Sequence, residues 1–205
     1  MKIISKFVII SILISLDVNA ATGIGWIPDG NMLIVEHPIS KGYALSLSGT
    51  VSKSATPNVS SYEYYRYENN IDYLSGRANL DLLRYFNLYC STKNQIVLRV
   101  SLFARATYSY RREIIEHNQI YFDPNLGINS SYQDTKRMNM VGIAFGIRPE
   151  IKIFDRMSMF MTAGIQESYI HEVLSESSQK YDHRFQTDFF NQGFGLTSIS
   201  LMIWL

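Results

Sequence analysis

Six segments of the chain alternate apolar and polar side chains for longer than an ordinary strand, and beyond residue 20 no apolar run is long enough for a membrane helix. From Gln95 to Arg111 one face carries Ile96, Leu98, Val100, Leu102, Ala104, Ala106, Tyr108 and Tyr110. The other carries Arg99, Ser101, Arg105, Thr107, Ser109 and Arg111, with Val97 and Phe103 as apolar exceptions. Successive side chains of a strand point to opposite faces, so the segment predicts one wholly apolar face backed by a mostly polar one. Strands of soluble sandwiches also alternate, but they run about 5–6 residues.

The same alternation recurs from Tyr43 to Ser52, from Leu74 to Phe86 with Arg84 as its one misplaced charge, and from Val141 to Ile153. It returns from Met157 to Ser168 and from Thr197 to Leu205. Pro149 falls on the apolar side of its segment, where the missing N–H predicts a bulge or local irregularity. Leu88–Asn94 and Phe154–Arg156 are short connections; Ala55–Asn70, Glu113–Lys136 and Glu172–Asp182 are long, polar and expected to be loops. Short and long alternate strictly, as in a transmembrane barrel with short periplasmic turns and long outer loops. Tyr108, Tyr110 and Tyr169 then fall toward the outer interface, and Tyr43, Phe86 and Phe154 toward the inner one, as aromatic girdles do.

Closed barrels of this kind have at least eight strands. Residues Ile24–His37 can supply the missing pair, with Pro28-Asp29-Gly30-Asn31 as the turn and Met32–Glu36 as the return strand; the alternative makes 21–41 a periplasmic linker or plug. The expected fold is therefore all-β, an antiparallel up-and-down transmembrane β-barrel of eight strands over residues 21–205 with both termini on the periplasmic side.

Residues 1–20 carry the parts of an export signal: Lys2 and Lys6, an apolar stretch from Phe7 to Leu16, then Val18-Asn19-Ala20, with cleavage expected after Ala20. Cys90 is the single cysteine, so no intrachain disulfide forms. With 19 basic and 18 acidic residues and no basic patch, the chain lacks the concentrated positive face that a nucleic-acid partner requires. The 14 Tyr suit a boundary where one end of a side chain is apolar and the other wet.

The chain resembles the small outer-membrane β-barrel domain proteins of Gram-negative bacteria over nearly all of residues 21–205. Two stretches carry the likeness: Val141-Gly-Ile-Ala-Phe-Gly-Ile-Arg-Pro-Glu-Ile-Lys-Ile-Phe-Asp-Arg-Met-Ser-Met-Phe160, and the closing Gly193-Phe-Gly-Leu-Thr-Ser-Ile-Ser-Leu-Met-Ile-Trp-Leu205. The resemblance implies residence in outer-membrane lipid and insertion by the barrel-assembly machinery. The family usually closes on an aromatic residue, from which Leu205 departs, and it spans structural proteins, adhesins, porin-like pores and a few enzymes.

By alternation, Arg77, Asp81, Arg99, Arg105, Arg111, Arg148, Glu150 and Lys152 face inward. An eight-stranded interior is just wide enough for side chains to fill, so these residues are expected to form a paired network. The role expected from that is a structural or surface-interaction scaffold. A narrow pore for anionic solutes is the alternative, since basic residues exceed acidic ones in the set. Tyr62, Tyr64, Tyr65, Tyr67, Tyr121, Phe122 and Tyr132 are contact candidates for an extracellular or surface partner, because Tyr gives large contact area at low entropic cost. The same spacing also fits Tyr62–Tyr67 continuing a strand above the membrane. His37, His117, His171 and His183 match no compact ligand motif and are expected as solvated loop residues, with neither metal nor other cofactor. A hydrolase would need a nucleophile with a base in reach; Ser168 and His171, with Glu167 beside them, point to opposite faces, and no enzyme activity is expected.

Overall fold

In the computed structural model, residues 21–28, 31–91, 95–122, 127–175, 180–192 and 199–205 are described. The expected export signal, the Asp29-Gly30 step of the first turn and most of the closing Gly193–Ile199 stretch lie outside them. Every regular element is a strand: β1 Gly23–Ile27, β2 Met32–Ser40, β3 Tyr43–Ser61, β4 Tyr65–Ser91, β5 Ile96–Tyr121, β6 Ser130–Ile153, β7 Met157–Phe160, β8 Thr162–Ser175, β9 Lys180–Gln192 and β10 Ser200–Trp204. All pairings are antiparallel, and β1–β2–β3–β4–β5–β6–β7–β10 closes on itself through Gly23↔Trp204. The result is an up-and-down ring of eight strands with β8 and β9 continuing beyond it on the β6 side.

The first hairpin belongs to this ring. β1 and β2 are short, yet β1 pairs with β10 on one side and β2 with β3 on the other, which makes 21–41 part of the wall and not a separate linker. Pro149 acts as its chemistry requires. Its carbonyl accepts a hydrogen bond from Met161 N–H at 3.2 Å, but it has no N–H to return. The ladder lapses between Ile147↔Ala163 and Glu150↔Phe160 without a register shift, and this lapse divides β7 from β8.

Alternation sorts the side chains into two environments. Leu80, Leu82, Leu102, Ile143, Phe145, Ile147, Ile165, Leu201 and Ile203 point outward and are exposed. Asn79, Asp81, Ser101, Arg105, Thr107, Arg148 and Glu150 point inward and are buried. This inverts the arrangement of a soluble protein, in which charged residues are almost never fully buried unless paired. Apolar interior groups form two clusters: Ile27, Met32, Ile34, Phe160, Met202 and Trp204 pack together on the β1–β2–β7–β10 side, and Ala44, Leu83 and Phe103 on β3, β4 and β5. Gly146 and Gly164 pair across β6 and β8, and a Cβ on Gly146 would lie 2.1 Å from the Ala163 carbonyl oxygen, so only glycine permits this approach.

The stretches expected to be long loops are mostly strand. β3 and β4 pair out to Ser61↔Arg66, β4 and β5 to Tyr65↔Tyr121, and β5 and β6 to Gln119↔Ser130. Above the ring, among the described residues, β3 beyond Gly49 keeps β4 alone as a partner and β9 pairs with β8 alone. The upper part is thus an open sheet in the order β3–β4–β5–β6–β8–β9.

Candidate functional site

Register places the interior charges. Asp81 stands directly opposite Arg105, and Arg99 directly opposite Glu150. Arg105 donates from Nε and Nη2 to the two Asp81 oxygens at 2.7 and 2.8 Å, a bidentate pair, and Arg99 Nη2 reaches Glu150 Oε1 at 2.7 Å. One contact crosses the ring. Arg148 on β6 meets Glu36 on β2 at 2.7 Å, although by either path round the wall other strands separate β2 from β6. Arg148 also reaches Glu150 at 3.3 Å, and Tyr85 on β4 donates to Glu36. The Arg148 guanidinium lies 3.9 Å over the Phe160 ring and that of Arg99 lies 3.9 Å over the Tyr85 ring.

Glu36 is the residue that sequence reasoning left out. With it, two arginines meet two glutamates and Arg105 meets Asp81, so the cluster is charge-balanced. The other inward candidates sit at its margins. Half-buried Arg77 donates to Gln166 at 3.3 Å; Lys152 approaches the Trp204 ring at 4.9 Å and Asp155 at 3.4 Å. Arg111 is a correction to the interior set, since it is exposed above the ring and pairs with Glu113 at 3.5 Å. Above the ion pairs, Thr107 donates to Asn79 at 3.0 Å, and Asn79 to Ser48 at 3.1 Å. Arg84, the misplaced charge, faces outward between the Tyr43 and Phe86 rings, 5.5 and 5.2 Å from their centroids.

The aromatic contact candidates lie on extended hairpins instead of loops. Tyr65, Tyr67, Tyr121 and Tyr132 share the face that carries Asp81, Arg105 and Arg148 lower down. His117 is their hub: its Nδ1 lies 2.9 Å from the Tyr67 hydroxyl and 2.7 Å from Asn69 Oδ1, and its ring stacks on Tyr132 at 4.3 Å. Tyr62 stacks on Tyr65 at 4.7 Å, and Tyr65 meets Tyr121 at 5.9 Å. Tyr64 and Phe122 are exposed at the tips, where Phe122 N–H bonds the Tyr64 carbonyl at 3.0 Å.

The histidines also lie on strands, which corrects their expected place in loops. His37 is buried near Thr22, 3.1 Å from its hydroxyl; His171 and His183 face each other across β8 and β9 with Nδ1 atoms 3.1 Å apart. Among the described residues no group of three or more His, Cys, Asp or Glu side chains is placed to hold a metal ion. Ser168 is buried and accepts from Gln166 at 2.7 Å, whereas His171 lies on the opposite face beside His183.

No model of a known protein family matches the chain, and no curated protein does. Among solved structures it is similar to a major outer membrane protein from Thermus thermophilus, at 12% identity and a TM-score of 0.32, over 90% of this chain and 94% of that one.

Proposed function

We propose that the chain is an integral outer-membrane protein whose ring crosses the bilayer as a filled eight-stranded barrel, and whose extended hairpins form a surface for contact outside the cell. The observation that carries this reading is the inversion of burial: Leu102, Ile143, Phe145 and Ile147 outside, Arg105, Asp81, Arg148 and Glu150 within. In water such a belt is an aggregation liability; in lipid it is what a barrel requires. Closed pairing leaves the ring itself without an edge, which satisfies its backbone where no water can. On β5, Val100 to Tyr110 rises ~25 Å at the usual strand tilt, the height of the apolar band of such barrels.

The scaffold reading over the pore rests on the interior. The Glu36–Arg148 pair spans the ring, Tyr85 closes on it, and the six charges of this central cluster balance, so the narrowest part of the interior offers anions no net positive charge. The hairpins with Tyr65, Tyr67, His117 and Tyr132 supply a rigid aromatic face suited to a surface partner. Expression in a Gram-negative host tests the location: the expected product fractionates with the outer membrane and shifts mobility on heating, and a soluble periplasmic protein refutes it. Planar-bilayer recording tests the role. Stable anion-preferring steps that shrink in Arg99→Ala overturn the scaffold in favour of the pore.

A further inference from the structure

Away from the interior cluster, two histidines stand side by side on the outward face. The row Val51↔Gly76↔Tyr110↔Asn139↔His171↔His183 lies one step beyond the aromatic row through Tyr108, Tyr169 and Phe185, so the pair sits just outside the apolar belt. His171 and His183 are direct cross-strand partners, and their Nδ1 atoms approach to 3.1 Å. Each ring is braced by a tyrosine of the neighbouring strand: Tyr181 stacks on His171 with ring centroids 6.3 Å apart, and Tyr169 on His183 at 6.2 Å. The Tyr169 hydroxyl also comes within 2.9 Å of His183 Nδ1. That nitrogen is thus approached by two polar atoms, yet an imidazole nitrogen carries either one proton or one lone pair and can satisfy only one of them with a full hydrogen bond.

A metal ion uses both imidazole nitrogens at once. At the ~2.0–2.1 Å of a metal–imidazole bond, nitrogens 3.1 Å apart subtend roughly 95–100° at the metal, between the ~90° of a tetragonal site and the ~109° of a tetrahedral one. The Tyr169 hydroxyl is then released to hold a metal-bound water. Glu172 and Asp182 lie on the opposite face of the same hairpin, where Arg184 takes both, so the donors on this face are nitrogens. Imidazole suits copper, nickel and zinc in preference to magnesium or calcium, and copper(II) binds tightest of the first-row divalent ions. We infer that His171 and His183 form a two-histidine chelate for a divalent transition metal, copper(II) before nickel or zinc, with water completing the coordination. The ion binds the paired strands and not the separated ones, so it also ties β9 to β8, its one partner among the described residues. The inference goes beyond the membrane reading and does not depend on it, because the register brings the two rings together in any surroundings.

The test is titration of the untagged, detergent-solubilised protein with copper(II) chloride in a non-coordinating buffer, followed by electron paramagnetic resonance. The wild type is expected to bind one ion in a tetragonal site whose hyperfine pattern reports two nitrogen donors, and excess magnesium should not displace it. Loss of an outer-shell partner alone costs a metal site ~10–100-fold, so His171→Asn and His183→Asn should each weaken binding at least about tenfold. The double variant should lose no more than either single one, because a chelate fails when one arm is gone. Cys90→Ser should bind copper as the wild type does. Circular dichroism confirms that each variant retains its strands, which these surface substitutions leave in place. A wild-type spectrum with a single nitrogen donor, or with none, overturns the site. So does a pattern in which each histidine variant loses an independent, equal share of the copper, since that describes two separate surface histidines and not a chelate.

Discussion

Phe145→Arg places one charge where the proposed topology puts lipid. Phe145 is 63% exposed and points outward between Ala104 and Ile165, its cross-strand neighbours, at mid-height of the apolar belt. A Phe side chain offers ~200 Å², so ~130 Å² faces the surroundings, worth ~3 kcal/mol if those are apolar. An arginine near the bilayer midplane costs about 2–4 kcal/mol more. The sum, roughly 5–7 kcal/mol, rivals the whole stability of a typical domain, about 5–15 kcal/mol. In water the sign reverses, because replacing an exposed Phe by Arg removes apolar surface from solvent. Protein refolded from urea into phosphatidylcholine vesicles and followed by the heat-dependent gel shift reads the difference. Wild type and the inward-facing Ala144→Ser should fold, and Phe145→Arg should not. Equal folding of all three would mean that this face does not meet lipid, and the reversed burial would need another explanation.

Arg105→Leu leaves Asp81 buried without its bidentate partner and should cost about 3–5 kcal/mol in urea titrations, while the double variant Arg105→Met, Asp81→Leu should recover most of the loss. An equal loss in the double variant would show that the pair itself, not the stranded charge, carries the stability. Gly146→Ala drives a Cβ to 2.1 Å from the Ala163 carbonyl oxygen and should lower refolding yield sharply, whereas Gly76→Ala, whose nearest neighbour would be 3.6 Å away, should refold normally.

The strands within the belt were legible because an exposed apolar face on one side and a buried polar face on the other impose a strict period of two. Where that constraint ends, so does the signal. The paired stretches above the ring, such as Ala55–Ser61 and Glu113–Tyr121, carry polar groups on both faces and read as loops, although the backbone ladder continues unbroken. The Tyr-rich spacing from Tyr62 to Tyr67 was the one local hint of strand there. Glu36 stayed hidden for a different reason. It sits in a short strand beside His37 and Pro38, and its partner Arg148 is remote in sequence and across the ring, so no local pattern couples them. The turn at Phe154 and Asp155, with φ of 53° and 55°, was placed by the strands around it and not by turn residues such as Asn-Gly.

With the outer face in lipid, as proposed, the division of labour between the two faces explains why a filled interior should be charged at all. Leu, Ile and Phe dissolve equally well in acyl chains wherever they stand along a strand, so the outer face says little about register beyond its parity. A slip of one residue is forbidden because it would turn Arg105 and Asp81 out into lipid. A slip of two keeps both faces intact and costs the outer face almost nothing. Inside, it would set Arg105 opposite Asn79 or Leu83, and Glu150 opposite Val97 or Ser101, and so strand four charges in a low-dielectric space. The ion pairs therefore supply the discrimination that the apolar belt lacks. Glu36 extends the same constraint across the ring, because Arg148 meets it only when the short first hairpin closes against the last strand in the observed register.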